Sequence, residues 1–448
     1  MSQMLIWHHR GLGLVALAAI MLLACAAPAA AAAAAPAAAP AAKPTGTPTA
    51  TATILTCQVN IGSNHRQLQY GKPGGNGARW VMNGAQFYGV PNFLEYGVGS
   101  GKLGPAVFTG NPNGNSYYCM FDVFDYNYQN RDAQLQALKD AGGNCIRMFM
   151  NAQSAINTEV AHGLGRTEYL NRLVIDLCMV KVTPRGILIP ETGLPGPWHR
   201  YIGGAKINNM ATSCKNKGLF IQFQNNAELI QLSSSDWDKY AFPFYLDLFK
   251  QLAAAGCTNV IMGAHNEPNG AMSDGDWQNG MENILTKWKA AGYTGPVILD
   301  MKSRHFSSCY SNVVSWAATN YYSGNVLIAE HCYLLSDSNP VRDNCGTYPM
   351  IHNENGGGWD KNNWPAMNKR FKDDVITYGA NGLSAFAWNN GQDSAGWLSE
   401  QPACTKLSTQ GTQWRDNYLT PIYNKFGSRM YFNSGPPVGS VKDLSHIS

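Results

Sequence analysis

Short apolar runs alternate along the chain with longer segments whose apolar residues recur at helical spacing. The alternation begins near residue 80 and continues to about residue 388. The short runs predict eight strands, at residues 80–91, 144–150, 218–223, 259–262, 296–300, 325–330, 348–352 and 383–388. The segments between them predict helices at residues 131–141, 207–217, 237–255, 280–292, 312–318 and 364–378. Strands that alternate with helices in this way indicate a parallel sheet.

Eight parallel strands are the number that closes a barrel, and about 350 residues accommodate such a barrel with insertions. The sequence therefore predicts an α/β fold, a (β/α)8 TIM barrel with loop insertions, the longest of them at about 152–205. The alternative is an open, doubly wound sheet. That fold leads us to expect a Gly-rich phosphate loop after the first strand, whereas the Gly-rich segment 71–77 precedes it.

The first 25 residues are typical of an export signal. A short polar and basic start at His8, His9 and Arg10 precedes an apolar run from Leu12 to Leu23. The segment Leu22–Cys25 resembles a bacterial lipobox, so Cys25 is a possible lipid anchor, and ordinary cleavage further along is the alternative. Residues 26–55, rich in Ala, Pro and Thr, are predicted to be a linker. Residues 56–448 then form a single barrel domain.

Composition and charge narrow the class of protein. The 448 residues include 33 Lys+Arg and 29 Asp+Glu, for a net charge of +4 at pH 7, and 12 Trp, 21 Tyr and 16 Phe. The aromatic content excludes a disordered polyelectrolyte, and the weak charge argues against nucleic acid as a partner. Beyond the export signal no stretch approaches about 18 uninterrupted apolar residues, so we expect no transmembrane span. We expect an exported bacterial monomer, either extracellular, periplasmic or lipid-anchored at the cell surface.

Cysteine usage is compatible with export. The chain has 11 cysteines, and removal of Cys25 with the signal leaves an even number, which suggests disulfides. Cys332–Cys345 would close a short loop and is the predicted bridge, whereas Cys145 lies in an apolar strand and is predicted to be a buried thiol. There is no C-x-x-C pair, and segment 337–344 lacks the pattern of a calcium loop. We therefore expect no metal and no cofactor.

Polar residues occur at the C-terminal ends of the predicted strands, where barrel enzymes place their catalytic groups. They are Arg147 in the second strand, Asn266 and Glu267 after the fourth, His331 and Tyr333 after the sixth, Glu354 after the seventh and Trp388 at the end of the eighth. Because these strand ends surround one barrel mouth, we expect the side chains to line one cavity.

Two carboxyl groups at one barrel mouth suit hydrolysis of a glycosidic bond. One protonates the leaving oxygen, and the other attacks the sugar or activates water. Glu267 and Glu354 are the natural pair. Arg147 would keep the nucleophile ionised, Asn266 would bind a sugar hydroxyl, and Trp388 would offer a flat face to a pyranose ring.

These elements resemble glycoside hydrolase family 5, the cellulase family, in the clan of retaining (β/α)8-barrel glycosidases. The resemblance covers about residues 80–400 and is carried by Asn144–Arg147, Asn266–Pro268, His331–Tyr333, Glu354 and Trp388. It implies that Glu267 is the acid/base and Glu354 the nucleophile, with the other five residues binding substrate or supporting the site. It further implies a secreted retaining enzyme that cleaves β-glucan, cellulose or β-mannan by double displacement.

The sequence departs from the family pattern at two places. Gln224 to Asn226 follow the third strand, where the family usually has a histidine, and Asn355 follows the nucleophile in place of an aromatic residue. These departures leave the substrate open between glucan, mannan and another β-glycoside, and endo or exo action is equally open.

Three alternatives compete with this interpretation. Glu330 is a rival nucleophile, although its position inside the sixth strand favours a structural role. A non-catalytic carbohydrate-binding protein could use the same barrel, because a fold does not decide a function. A thiol enzyme could use Cys332 beside His331, but neighbours in a strand point to opposite faces.

Overall fold

The computed structural model describes residues 54–87, 128–150, 210–225, 242–254, 256–268, 270, 272–356, 361–388, 398–400 and 405–427. The chain divides into two units, residues 1–51 and 52–448, and all described residues belong to the second. The predicted export signal, the possible lipid anchor at Cys25, nearly all of the linker and the insertion at 152–205 lie outside the described residues.

Eight parallel strands close into a barrel and follow one another around the ring in chain order. An antiparallel hairpin, β1 (Val59–Ile61) and β2 (Leu68–Tyr70), precedes the barrel. The barrel strands are β3 (Met82–Gln86), β4 (Cys145–Met150), β5 (Phe220–Asn225), β6 (Val260–Gly263), β7 (Val297–Asp300), β8 (Val326–Cys332), β9 (Met350–Asn355) and β10 (Gly382–Ala385). The predicted (β/α)8 fold is confirmed, and the doubly wound alternative is wrong because β10 pairs with β3.

Helices connect the strands of the described part of the chain. They are α1 (Tyr128–Asp140), α2 (Met210–Lys217), α3 (Phe242–Ala254), α4 (Asp274–Ala290), α5 (Ser308–Asn320), α6 (Pro340–Asn344), α7 (Trp364–Asp373), α8 (Thr409–Trp414) and α9 (Thr420–Phe426). A π-helical turn, Asp374–Tyr378, continues α7 where the sequence predicted regular helix. None of the described helices is both long enough and apolar enough to cross a membrane.

Residues along each strand alternate between the barrel interior and the layer beneath the helices. In β8 the inward set is Leu327, Ala329 and His331, and the outward set is Val326, Ile328, Glu330 and Cys332. Both faces of such a strand are covered, which explains why the sequence shows short continuous apolar runs rather than apolar–polar alternation.

The N-terminal end of the barrel interior is apolar and packs against the hairpin. Ile61 and Leu68 of the hairpin share an apolar cluster with inward residues of the barrel such as Phe220. The hairpin is fixed by buried amides, because the Ile61 N–H donates to Asn325 Oδ1 at 2.8 Å and the Leu68 N–H donates to Asn381 Oδ1 at 2.8 Å. This end of the barrel is therefore occupied by packed side chains.

The C-terminal end of the interior is polar. One inward step further along the strands, the apolar layer gives way to polar residues. Gln86, Arg147, Gln224, Asp300 and Asn353 are buried, and His331 is half-buried. A buried polar layer must be hydrogen-bonded to be stable. The bonds in this layer define the candidate site.

The predicted disulfide Cys332–Cys345 is wrong. Both cysteines are free and buried, as are the other described ones, Cys57, Cys145, Cys214, Cys257 and Cys309. The Cys332 Sγ lies 3.7 Å from the carbonyl oxygen of Leu334, whereas the Cys345 Sγ lies 3.0 Å from that of Tyr378. The two thiols thus point at different carbonyl groups. Cys145 is the buried thiol that the sequence predicted.

Candidate active site

The position of Glu354 depends on an irregularity in β9. Strands β8 and β9 pair Glu330 with His352 and then His331 with Glu354, so Asn353 is an extra residue on β9. Bulges of this kind re-aim side chains and are frequent beside active sites. Here both Asn353 and Glu354 contact groups in the barrel interior, whereas Glu330 lies beside His352.

Two fixed donors hold the carboxylate of Glu354. Arg147 donates from Nη1 to Glu354 Oε2 at 2.6 Å and to Gln86 Oε1 at 2.7 Å. The Tyr333 hydroxyl donates to Glu354 Oε1 at 2.5 Å. Arg147 is fully buried and the side chain of Glu354 is 8% exposed, so this ion pair is shielded from water. Hydrogen bonds to both oxygens, one of them from a charged donor, fix the position of the Glu354 side chain.

Arg147 also connects Glu354 to the end of β6. Its Nη2 donates to Asn266 Oδ1 at 2.5 Å, and the backbone N–H of Asn266 donates to the carbonyl of Asn225 at 2.7 Å. Asn266 is half-buried beside the site. The guanidinium therefore fixes the relative positions of Glu354 and Asn266.

Glu267 is the exposed carboxyl group of the site, with 58% of its side chain accessible. Its backbone φ is 43°, in the left-handed region that residues with a Cβ rarely occupy. Such strain, which costs about 1–3 kcal/mol, is concentrated at functional positions. Its Oε1 accepts a hydrogen bond from His331 Nδ1 at 2.9 Å.

His331 lies between three carboxylates. Its Nδ1 is 2.9 Å from Glu267 Oε1 and 3.8 Å from Glu354 Oε2, and its Nε2 is 3.0 Å from Asp300 Oδ2. Burial lowers the pKa of His331, but the charges of Asp300 and Glu354 and the close contacts with Asp300 and Glu267 outweigh it and raise the pKa to about 10. His331 is therefore an imidazolium at neutral pH.

The cation on His331 changes the acidity of Glu267 in turn. Its hydrogen bond holds the pKa of Glu267 below the usual value, against the opposing effect of burial. One donor atom from each of Glu267, His331 and Glu354 lies within 4.8 Å of the other two. The mouth of the barrel thus holds two neighbouring carboxyl groups with different partners. Glu354 is paired with Arg147, and Glu267 is paired with the imidazolium of His331.

Trp388 is the remaining predicted site residue. It is fully buried, and its ring stacks on Phe87 with centroids 5.7 Å apart and planes 8° from parallel. The other six predicted site residues are brought together by direct contacts. Whether Trp388 binds sugar stays a prediction, and Phe87 covers one of its faces.

Sequence reasoning missed the buried polar residues that support the site. They are Gln86, Gln222, Asp300 and Asn353, together with Gln224, at which the sequence showed only a departure from the family pattern. Asp300 ends the predicted strand 296–300, so the rule that selected the other site residues also applies to it. Gln222 and Gln224 are two residues apart in one strand, so they point to the same face. Their polarity within a buried strand did not indicate which groups they would bind.

A divalent cation could use the same donor atoms, because carboxylates and imidazole are its common ligands. The charges of the site oppose this. Arg147 already pairs with Glu354, and a metal would have to displace the proton that His331 shares with Glu267. The expectation that the protein needs no metal stays a prediction.

Comparison with known proteins adds little beyond the fold. No family model matches the chain, and no curated protein matches its sequence. Among solved structures, a β-mannanase from Streptomyces thermolilacinus with mannohexaose is 15% identical, with a TM-score of 0.47, over 82% of this chain and 96% of that one. An endocellulase from Pyrococcus horikoshii with cellotetraose is 12% identical, with a TM-score of 0.44, over 83% of this chain and 99% of that one. The function has to be argued from the site itself.

Proposed function

We propose that this protein is a secreted retaining β-glycoside hydrolase that acts on a β-linked polysaccharide or oligosaccharide. The observation that carries the proposal is the pair Glu267 and Glu354, whose oxygens approach within 4.8 Å while each has a different partner. Retaining glycosidases place their carboxyl groups about 5–5.5 Å apart, and inverting ones about 6.5–9.5 Å apart to admit a water. The short separation supports double displacement.

Glu354 is suited to be the nucleophile. A nucleophile must be ionised, and Arg147 and Tyr333 donate to its two oxygens. Attack on the anomeric carbon forms a covalent glycosyl-enzyme, in which the carboxylate charge is lost from one oxygen. Asn266, fixed by Arg147, is placed to bind a sugar hydroxyl beside that carbon.

Glu267 is suited to be the acid/base because it is open to solvent and hydrogen-bonded to a proton carrier. It protonates the leaving oxygen in the first step and removes a proton from the attacking water in the second. Since the pKa of Glu267 is lowered in the unliganded site, the available proton lies on His331 at neutral pH.

The substrate class rests on the resemblance in the sequence, which implies β-glucan, cellulose or β-mannan. Export through residues 1–25, with or without lipid on Cys25, gives such an enzyme access to external polymers. A monomer suffices for the proposed chemistry, because all the groups it uses come from one barrel.

The test uses the full chain, exported by a bacterial host through its own signal. Release of reducing ends is measured on carboxymethyl-cellulose, mixed-linkage glucan, mannan and xylan for the wild type and for Glu267→Ala, Glu354→Ala and the control Glu282→Ala. Glu282 lies on α4 and its side chain contacts Gln278, away from the site. We expect both site variants to lose at least about 1,000-fold in kcat/KM on polymers while folding normally, and the control to remain active.

Proton NMR of the first product released from a short oligosaccharide decides the mechanism. The β-anomer is expected first, and an α-anomer would replace the retaining mechanism by inversion. Oligosaccharide binding without turnover would instead support the carbohydrate-binding alternative.

A further inference from the structure

Asp300 is the buried residue that contacts the back of the acid/base assembly. It ends β7, is 1% exposed and lies 3.0 Å from His331 Nε2, on the opposite side of the ring from Glu267. The three groups form a line of carboxylate, imidazole and carboxylate that runs from the barrel interior to solvent. Only Glu267 in this line is exposed to substrate.

The neighbouring amides are oriented toward Asp300. Asn353 Nδ2 donates to Asp300 Oδ1 at 2.8 Å, and Gln224 Nε2 donates to Asp300 Oδ2 at 3.1 Å. The Oε1 of Gln224 and the Oδ1 of Asn353 accept in turn from Gln222 Nε2, at 2.9 Å and 2.7 Å. Each amide therefore has its oxygen toward Gln222 and a nitrogen toward Asp300, an arrangement that requires an acceptor at Asp300.

The absence of a side chain at Gly263 leaves space for the amide of Gln224. A Cβ at Gly263, on β6, would lie 1.8 Å from Gln224 Oε1, so any other residue there would displace the amide of Gln224 from this position. Gln224 begins the stretch that occupies the place of the histidine expected after the third strand. In this chain the amide of Gln224 supports Asp300 instead of contacting the acid/base.

The charges that face His331 come from every side of the mouth. They are Asp300 on β7, Glu267 after β6, Glu354 on β9 and, beyond Glu354, Arg147 on β4. His265 also lies near Asp300, but burial lowers the pKa of His265 to about 4 against the opposing charge of Asp300. His265 is neutral at working pH and does not compete for this carboxylate.

We propose that Asp300 is a positioning residue of the acid/base, which holds His331 protonated with its Nδ1–H directed at Glu267, so that the catalytic proton stays in the site. This inference rests on the proposed function. Protonation of the leaving oxygen breaks the Nδ1–H bond of His331 and, by way of Glu267, forms an O–H bond on the leaving group. The water that then attacks the glycosyl-enzyme gives one proton to Glu267, which passes it back to His331 Nδ1. Asp300 neither gains nor loses a proton in these steps.

Asp300→Asn tests this role, and Asp374→Asn is the matched control. Asp374 lies 3.1 Å from Nε2 of a different buried histidine, His352, outside the barrel interior. In Asp300→Asn we expect kcat to fall about 10- to 100-fold with KM within about twofold, because substrate contacts are retained. We also expect the alkaline limb of the kcat profile to move down by about one pH unit or more, because the imidazolium loses a partner.

Asp374→Asn should leave the position of that limb unchanged. A merely structural role for Asp300 would lower the amount of folded enzyme and leave the alkaline limb in place, and an unmoved or upward-shifted limb overturns the proposal.

Nitrogen NMR of the His331 ring gives a second test that needs no variant to fold. In the wild type we expect both ring nitrogens to be protonated at pH 8, and a neutral ring there overturns the proposal. This measurement also separates the two hypotheses. A wild-type protein without activity on any polymer refutes the proposed function, while the state of His331 still decides the role of Asp300.

Discussion

Two histidines lie on neighbouring strands of the barrel, and each is placed between carboxylates. His331 on β8 faces the interior and contacts Asp300 and Glu267. His352 on β9 faces outward, where its Nδ1 is 3.4 Å from Glu330 Oε2 and its Nε2 is 3.1 Å from Asp374 Oδ2. The same functional groups are thus used twice, on opposite faces of one sheet.

The two clusters differ in access to solvent. Around His352 every member is sealed, since Glu330 is 2% and Asp374 is 1% exposed, and Asn339 covers Asp374 through a hydrogen bond of 2.8 Å. Around His331 the chain of contacts ends at Glu267, whose side chain is 58% exposed. Titratable groups do chemistry only where a substrate can reach one of them. The outer cluster therefore stabilises the fold, and the inner cluster is suited to proton transfer.

The largest expected effect is on kcat/KM, and it distinguishes Glu354, which contacts groups in the barrel interior, from Glu330, which faces outward. Glu354→Gln removes the proposed nucleophile and should lower kcat/KM on the active polymer by about 10,000-fold or more. Glu330→Gln, one strand away, should change it by no more than about twofold, because Glu330 lies beside His352 and not in the cavity. Steady-state kinetics at one pH, with folding checked by circular dichroism, makes the comparison.

A loss of similar size in correctly folded Glu330→Gln would show that the assignment of the nucleophile to β9 is wrong. Azide gives a further discrimination. In Glu354→Gly it should restore turnover and release an α-glycosyl azide, because the small anion enters the space left by the carboxylate.

Much of the inner cluster could be predicted from the sequence, because strand ends and polar residues are local features. Glu267, His331 and Glu354 each follow a short apolar run, Arg147 interrupts one, and parallel strands bring their C-terminal ends together. The bulge at Asn353 could not be predicted, since it depends on the pairing of β9 with β8. Without it, strict alternation would have placed Glu354 on the same face as His352.

The outer cluster and the hairpin escaped prediction for a related reason. His352 and Asp374 are 22 residues apart, and the contact arises only because α7 continues into a π-helical turn that lies against β9. The hairpin is held by Asn325 and Asn381, more than 260 residues away from it in sequence. Long-range contacts of polar residues leave no periodic pattern in the chain.

The next effect concerns the stability of the outer cluster. Burial lowers the pKa of His352, but its hydrogen bond to Asp374, its close contact with Glu330 and the charges of both carboxylates raise it above the usual value. His352 therefore binds its proton more tightly in the folded chain than in the unfolded one. Its contribution is complete below about pH 6.5 and is lost as the pH rises through the folded-state pKa.

Asp374→Asn should reduce the free energy of unfolding by about 2–4 kcal/mol at pH 6, because it leaves a buried imidazolium with one carboxylate. The difference from the wild type should shrink as the pH rises through the folded-state pKa of His352, because the wild type then loses this contribution. Urea unfolding over a series of pH values, with the pKa of His352 followed by NMR, measures both quantities. A difference that does not change as His352 loses its proton would show that the charge of His352 does not stabilise the fold.

The smallest expected effect is at Cys332, the outward neighbour of His331 on β8. Burial raises the pKa of the Cys332 thiol to about 12, and its Sγ faces the carbonyl of Leu334 rather than the cavity. At pH 8 only about one molecule in 10,000 then carries the thiolate, which is the reactive form. Prolonged treatment of the native enzyme with iodoacetamide should leave its activity unchanged, and mass spectrometry should find Cys332 unmodified.

Inactivation that an oligosaccharide prevents would instead show that a reactive thiol lies where the substrate binds, and would support the thiol-enzyme alternative. The difference between Cys332 and His331 is the difference between the two clusters again, because one step along a strand separates a packed outward position from an inward one that contacts the exposed Glu267.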